Sequence, residues 1–229
     1  METFRDLVIV LVPMILSLTV HEFAHAWSAF KLGDDTASRL GRMTLNPTSH
    51  IDPIGTLLIP IFSVMSGGIS LIGWAKPVPV SPVRFNRNIT MHKGMIITAM
   101  AGPASNLLLA FLFGGIFMFL YSDAIEAMTA NSNATRVIAA WYLGNNNDVA
   151  MVLTRVFFLN ISLAVFNMIP LAPLDGSRLL PQAIQDRMMR YQLLVFFGLI
   201  MMINYAAFIL VYPIQFVGNG ILAFFGFFV

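Results

Sequence analysis

Four long apolar stretches, separated by shorter polar segments, dominate the pattern of the chain. They cover about residues 7–30, 94–121, 149–169 and 191–212. Each is close to the ~20 residues that an α-helix needs to cross a bilayer. The pattern therefore predicts an all-α polytopic membrane protein, built as a helical bundle. The closing stretch, residues 214–229, is apolar but short, and we expect it to lie against the bundle or in the interface.

A fifth apolar segment, at about residues 54–75, has two possible placements. It contains no charged residue, but Pro60, Gly67 and Gly68 interrupt it. Its uninterrupted apolar part is shorter than a membrane span requires, which is typical of a re-entrant segment. Residues 70–83 carry Pro77, Pro79 and Pro82 and favour an edge strand or loop over a helix. We therefore expect a re-entrant loop or β-hairpin beside the bundle, although a short span stays possible.

The basic residues favour the re-entrant placement. If the segment does not cross, the outer side keeps only Arg5 and Arg136, with Arg155 at the start of a span. Because lysine and arginine concentrate on the cytoplasmic side, this arrangement predicts an outside N-terminus. A crossing segment would remove most of the asymmetry. The residues that share the cytoplasmic side are Lys31, Arg39, Arg42, Lys76, Arg84, Arg87, Lys93, Arg178, Arg187 and Arg190.

Composition excludes several classes of protein. Hydrophobic residues make up 58% of the chain and charged residues 10%, against about 25% charge in soluble domains. With 13 basic and 11 acidic residues, there is no basic surface for nucleic acid. The absence of cysteine excludes disulfides, thiolate nucleophiles and cysteine metal sites. Glu2 and Asp6 give the N-terminus the wrong charge for a signal peptide, so we expect the first span to be retained.

The first span contains His21-Glu22-Phe23-Ala24-His25, an H-E-x-x-H motif. Residues four apart lie on one face of a helix, about 6 Å apart along its axis. Two imidazoles so placed can bind one zinc ion, with the glutamate beside the water on the metal. Ionisable side chains within a membrane helix are costly without a metal or partners. Two histidines in polar contact with a neighbouring helix are the alternative interpretation.

A catalytic zinc usually has a third protein ligand, and Asp175 is the best candidate. It follows Pro170 and Pro173, which end the helix of the third span. The turn at Asp175-Gly176 can direct the carboxylate back towards the metal. In the re-entrant placement, the H-E-x-x-H helix and this turn end on the same side of the membrane. An ordinary helix-ending turn at the interface is the alternative.

Together these motifs resemble the site-2 protease family of intramembrane zinc metalloproteases. Three motifs carry the resemblance, in the family's order: H-E-x-x-H, Gly102-Pro103-Ala104-Ser105-Asn106, and N-x-x-P-x-x-P-L-D-G at 167–176. The segments at 50–53 (H-I-D-P) and 73–80 (G-W-A-K-P-V-P-V) are also similar to it. The chain resembles the compact branch, without a PDZ or CBS domain. Ser177 stands where many members have a second glycine, and we expect it to perturb the turn little.

The resemblance implies a three-helix catalytic core with one zinc ion per chain. His21, His25 and Asp175 would be the ligands and Glu22 the general base. Asn106 and Asn167 are candidates for binding the substrate backbone or the oxyanion, although either could instead bridge packed helices. The substrates would be transmembrane proteins or peptides in the lipid bilayer of a prokaryotic cell, cleaved on the cytoplasmic side. We expect the edge at residues 70–80 to pair with unwound substrate.

Two other classes of function remain open from the sequence. An inactive scaffold could retain zinc for structure, but such a site usually has a fourth protein ligand, and Glu22 would have no task. A metal transporter would place histidines and carboxylates along several spans. Here they cluster at one depth, which favours the protease.

Overall fold

The computed structural model describes residues 2–65, 73–130, 135–191, 194, 198 and 208–228. Its regular structure is helical, and these described residues contain no β-strand. A π-helical turn spans Pro53–Leu58, and single 3₁₀ turns span Pro47–Ser49, Pro82–Arg84 and Asp175–Leu179. The α-helices are α1 (Glu2–Lys31), α2 (Thr36–Arg39), α3 (Ile59–Met65), α4 (Met91–Ala130), α5 (Arg136–Asn146), α6 (Asp148–Asn167), α7 (Gln182–Arg190) and α8 (Phe208–Phe225).

Three of these helices, α1, α4 and α6, are long and apolar enough to cross a membrane. They pack against one another and correspond to the predicted segments 7–30, 94–121 and 149–169. The prediction of an all-α polytopic membrane protein is thereby confirmed. In α4 the backbone is non-helical at Tyr121, where the predicted segment ends, and helix resumes to Ala130.

The fourth predicted segment, 191–212, lies mostly outside the described residues. Helix α8 takes in its last residues and most of the closing stretch at 214–229. It packs against α4, α5 and α6, as we expected of the closing stretch.

The two ends of the predicted re-entrant segment lie together. The Thr56 hydroxyl donates to the carbonyl of Trp74 at 2.7 Å. The Lys76 N–H donates to the carbonyl of His50 at 2.9 Å. Between these points lie the π-helical turn, α3 and residues 66–72, and the last of these are outside the described part. Residues 73–81 form no strand, so the predicted β-hairpin is not shown.

Residues 74–81, here called the strap, run beside the C-terminal part of α1. Two acidic side chains of α1 and the following loop accept backbone N–H groups of the strap. Glu22 Oε2 accepts from Val78 at 2.8 Å, and Asp34 Oδ2 accepts from Ser81 at 2.6 Å. Arg42 donates to the Lys76 carbonyl at 2.6 Å. These bonds hold the strap beside the helix that carries the H-E-x-x-H motif.

The apolar core lies between α4, α5, α6 and α8. Its largest fully buried side chains include Phe117, Met118, Phe157 and Ile161. Gly114 of α4 lets the Phe157 ring approach closely, because a Cβ there would lie 2.8 Å from the ring. Small residues at such contacts are what allow membrane helices to pack tightly.

We expect Phe157→Ala to destabilise the bundle, because it removes a ring that is 1% exposed and leaves a cavity. The loss of unfolding free energy should be about 3–5 kcal/mol. Unfolding in mixed detergent micelles, followed by circular dichroism, measures it. Phe216→Ala is the matched control, since that ring is 82% exposed. Equal stability of the two variants would contradict the placement of the core.

Candidate metal centre

His21 and His25 lie one turn apart on α1, and their rings face α4. Both side chains are buried, and their Nε2 atoms are 3.0 Å apart. The rings fit because position 102 of α4 is glycine. A Cβ at Gly102 would lie 2.5 Å from His25 Nε2 and 2.6 Å from His21 Cε1. The glycine of the G-P-A-S-N motif therefore makes room for both imidazoles.

Asp175 approaches the same point from the turn that follows α6. Its Oδ2 lies 3.2 Å from His21 Nε2 and 3.3 Å from His25 Nε2. The turn folds tightly back on the end of α6, since a Cβ at Gly176 would lie 2.3 Å from the Met168 carbonyl. Ser177 supports it, because its hydroxyl donates to the Leu174 carbonyl at 2.7 Å. The serine at this position thus stabilises the turn.

Hydrogen bonds behind the rings determine where the imidazole protons lie. His25 Nδ1 is 2.7 Å from the Thr98 carbonyl, and His21 Nδ1 is 2.5 Å from Asn106 Oδ1. Each oxygen is an acceptor, so each neutral ring carries its proton on Nδ1. The lone pairs on both Nε2 atoms then point towards Asp175.

Three acceptor atoms consequently face one another. Their separations of 3.0, 3.2 and 3.3 Å approach the ~3.3–3.4 Å between ligand atoms of a tetrahedral zinc with bonds of about 2.0–2.1 Å. Asp175 Oδ2 is buried and has no hydrogen-bond donor among the described residues. A cation that takes nitrogen and oxygen ligands fits this arrangement, and two imidazoles with one carboxylate are a typical catalytic zinc set.

The charge on Asp175 suits such a ligand. Burial raises the pKa of its carboxyl, but His21 and His25, whenever they are protonated, donate to it and lower that pKa well below the usual range. The ionised carboxylate is the form that can bind a cation. His21, His25 and Asp175 are close enough together to bind one metal ion. Among the described residues, they are the one such group of three or more histidine, cysteine, aspartate or glutamate side chains.

A cavity of about 310 Å³ opens over the three side chains. Glu22 lines it beside His21 and His25. Its carboxylate accepts the Val78 N–H, so the strap forms one wall. The other lining residues include Pro77, Val78, Val80, Thr98, Asn167, Pro173 and Arg178.

The two asparagines predicted to contact substrate occupy different positions. Asn167 lines the cavity, and its Nδ2 donates to the Leu163 carbonyl at 3.0 Å. Asn106 is fully buried behind His21 and does not line the cavity. This position favours a role in orienting His21 over direct contact with substrate.

Sequence reasoning missed the residues that act behind the ligands. Thr98 contributes only its backbone carbonyl, for which the sequence gives no signal. Asn160 is fully buried and accepts from Asn106 Nδ2 at 2.7 Å. An asparagine in the middle of an apolar span is unusual enough to have indicated it.

Comparison with known proteins gives a consistent picture. The family model described as peptidase family M50 matches residues 9–211. "Putative zinc metalloprotease YwhC" of Bacillus subtilis is 36% identical over 74% of this chain and 66% of its own length. "Putative zinc metalloprotease Rip2" of Mycolicibacterium smegmatis is 29% identical over 74% of this chain and 54% of its own. The chain thus spans about half to two thirds of these relatives. No solved structure matches it significantly.

We expect Gly102→Ala to weaken metal binding by about tenfold or more, because the methyl group must displace imidazoles from the site. Zinc content and chelator competition on the purified protein measure the effect. Gly220→Ala is the control, since a Cβ there meets nothing within 4 Å. Wild-type zinc affinity in Gly102→Ala would contradict the described packing of the rings.

Proposed function

The chain belongs to peptidase family M50, and we propose that it is an intramembrane zinc metalloprotease of the site-2 protease type. It hydrolyses peptide bonds within or near transmembrane segments of membrane proteins. One observation carries the proposal: Glu22 and the converging Nε2, Nε2 and Oδ2 atoms of His21, His25 and Asp175 share one cavity. This cavity lies beside helices long enough to span a bilayer.

In this proposal, His21, His25 and Asp175 hold one zinc ion per chain. Bound there, zinc supplies a Lewis acid that polarises a carbonyl and makes a water molecule acidic near neutral pH. The Glu22 carboxylate accepts a proton from the attacking water and returns it to the leaving amine. Asn167, on the wall of the same cavity, can donate to the substrate carbonyl oxygen.

The strap is the proposed docking edge for unwound substrate. Pro77 and Pro79 have no N–H, so Val78 and Val80 are the donors that border the cavity. In the strap, the Val80 N–H has no partner among the described residues, whereas the Val78 N–H is bonded to Glu22. An extended peptide that pairs with this edge can accept the Val78 N–H. That exchange would free Glu22 for the water.

We further propose that the site faces the cytoplasm of a prokaryotic cell. The bonds from Thr56 to Trp74 and from Lys76 to His50 bring both ends of segment 57–73 together, which supports the re-entrant placement. In the re-entrant placement, the basic residues between 31 and 93 and between 178 and 190 lie on the same side of the membrane as the cavity. Segments rich in lysine and arginine are typically cytoplasmic. The named relatives are bacterial.

We expect Glu22→Gln to lower cleavage of a single-span substrate in detergent by about 10²–10⁴-fold while zinc content is unchanged. Glutamine keeps the size of the side chain but cannot accept the proton. Glu126→Gln, the same change at an exposed position of α4, is the matched control. If Glu22→Gln cleaves as well as the parent, Glu22 is not the general base. An inactive scaffold or a metal transporter would then be the favoured function.

We expect replacement of residues 74–78 by a Gly/Ser linker of equal length to reduce cleavage by about tenfold to a hundredfold, because the docking edge loses its fixed geometry. Zinc content should stay at the wild-type level, since the strap contributes none of the proposed ligands. Both quantities are measured on the same preparation. Unchanged cleavage would rule out the strap as the docking edge.

A further inference from the structure

We propose that Asn160, in the middle of α6, is a positioning residue for the metal centre. It holds the amide of Asn106 in one orientation, and Asn106 in turn keeps the proton of His21 on Nδ1. The inference rests on the proposed metal site and concerns a residue that does not line the cavity and whose hydrogen bonds go to Ser17, Asn106 and Val156.

The hydrogen bonds of Asn160 have only one possible direction. Its Nδ2 donates to the Val156 carbonyl and to Ser17 Oγ, both at 2.8 Å. The Ser17 hydroxyl donates its own proton to the Pro13 carbonyl at 2.7 Å. Because the Val156 carbonyl can only accept, and the Ser17 hydroxyl has already donated its proton to Pro13, Asn160 must direct its Nδ2 towards both groups. Its Oδ1 is therefore left to accept.

That oxygen then orients Asn106. Asn106 Nδ2 donates to Asn160 Oδ1 at 2.7 Å, with a longer contact of 3.4 Å to the Ser17 carbonyl. Asn106 Oδ1 consequently faces His21 Nδ1 at 2.5 Å. Ser17, Asn106 and Asn160 are all 0% exposed, so water does not compete for these groups.

The orientation matters because an amide can rotate by half a turn with almost no change of shape. Without the Asn160 oxygen, only the longer contact to Ser17 would oppose that rotation of Asn106. The rotated amide would present its NH₂ group to His21 Nδ1 and favour the imidazole proton on Nε2. A protonated Nε2 has no lone pair for a metal.

His25 does not depend on such a device. Its Nδ1 donates to the Thr98 backbone carbonyl within α4, which cannot exchange an acceptor for a donor. Loss of the Asn160 oxygen should therefore affect one of the two imidazole ligands. A purely structural role for Asn160, as a polar bridge between α1, α4 and α6, would instead change stability alone.

A double-mutant comparison in the purified 229-residue chain tests the proposal. Asn160→Leu should lower Zn²⁺ affinity, measured by chelator competition, about 10- to 100-fold, and alter the absorption spectrum of bound Co²⁺. In an Asn106→Asp background the same substitution should change affinity less than about threefold. A carboxylate presents an acceptor to His21 in either orientation, so it needs no support from Asn160.

Thr154→Val is the matched control. It removes another buried hydrogen bond of α6, from Thr154 to the Ala150 carbonyl, that does not lead to His21. It should lower stability with wild-type metal affinity. Full affinity in Asn160→Leu, or equal losses in both backgrounds, would overturn the proposal.

A measurement on the wild-type chain keeps the test decisive if Asn160→Leu does not fold. The ¹⁵N NMR spectrum of histidine-labelled, metal-free protein should show His21 protonated at Nδ1, and protonation at Nε2 would refute the mechanism. If the proposed metal site is itself wrong, the wild-type protein will bind no zinc at all. That result differs from a failure of the Asn160 proposal, in which the wild-type protein still binds zinc.

Discussion

The convergence of three acceptor atoms in a buried space is the constraint on which the rest of the site depends. His21 Nε2, His25 Nε2 and Asp175 Oδ2 meet at 3.0–3.3 Å, where their lone pairs repel unless a cation lies between them. Each neighbouring feature serves this arrangement. Gly102 leaves room for the rings, acceptor oxygens behind the rings hold the imidazole protons on Nδ1, and the tight turn at Gly176 returns the carboxylate to the helix bundle.

The membrane makes this constraint stricter, because polar groups away from water need hydrogen-bond partners inside the protein. The buried polar side chains are accordingly joined by hydrogen bonds. Ser17, Asn106 and Asn160 link α1, α4 and α6 behind His21, while Glu22 and Asp34 accept N–H groups of the strap. Ligand geometry and the proposed docking edge are thus built from one set of contacts around α1. A substrate that displaces Val78 from Glu22 would engage the base and the docking edge in one event.

The sequence is most informative where the chemistry is local. The H-E-x-x-H spacing alone places two imidazoles on one helix face, and the apolar lengths predict the helical membrane fold that the structure confirms. Asp175 could be proposed because few carboxylates lie near apolar spans and two prolines end the preceding helix. The Thr98 carbonyl and the Val78 N–H could not, since backbone groups from distant parts of the chain leave no trace in residue types. Asn106 resembles a substrate ligand in the motif, but its fully buried position behind His21 emerges only when three helices are packed together.

Zinc K-edge X-ray absorption of the purified protein tests the central claim most directly. The account predicts one zinc per chain with four nitrogen or oxygen neighbours at about 2.0–2.1 Å, and with scattering from two imidazole rings. In His25→Ala the imidazole signal should fall to one ring. Zinc that is absent, bound in variable amount, or surrounded by the same number of imidazoles in the variant would contradict a centre formed by His21, His25 and Asp175.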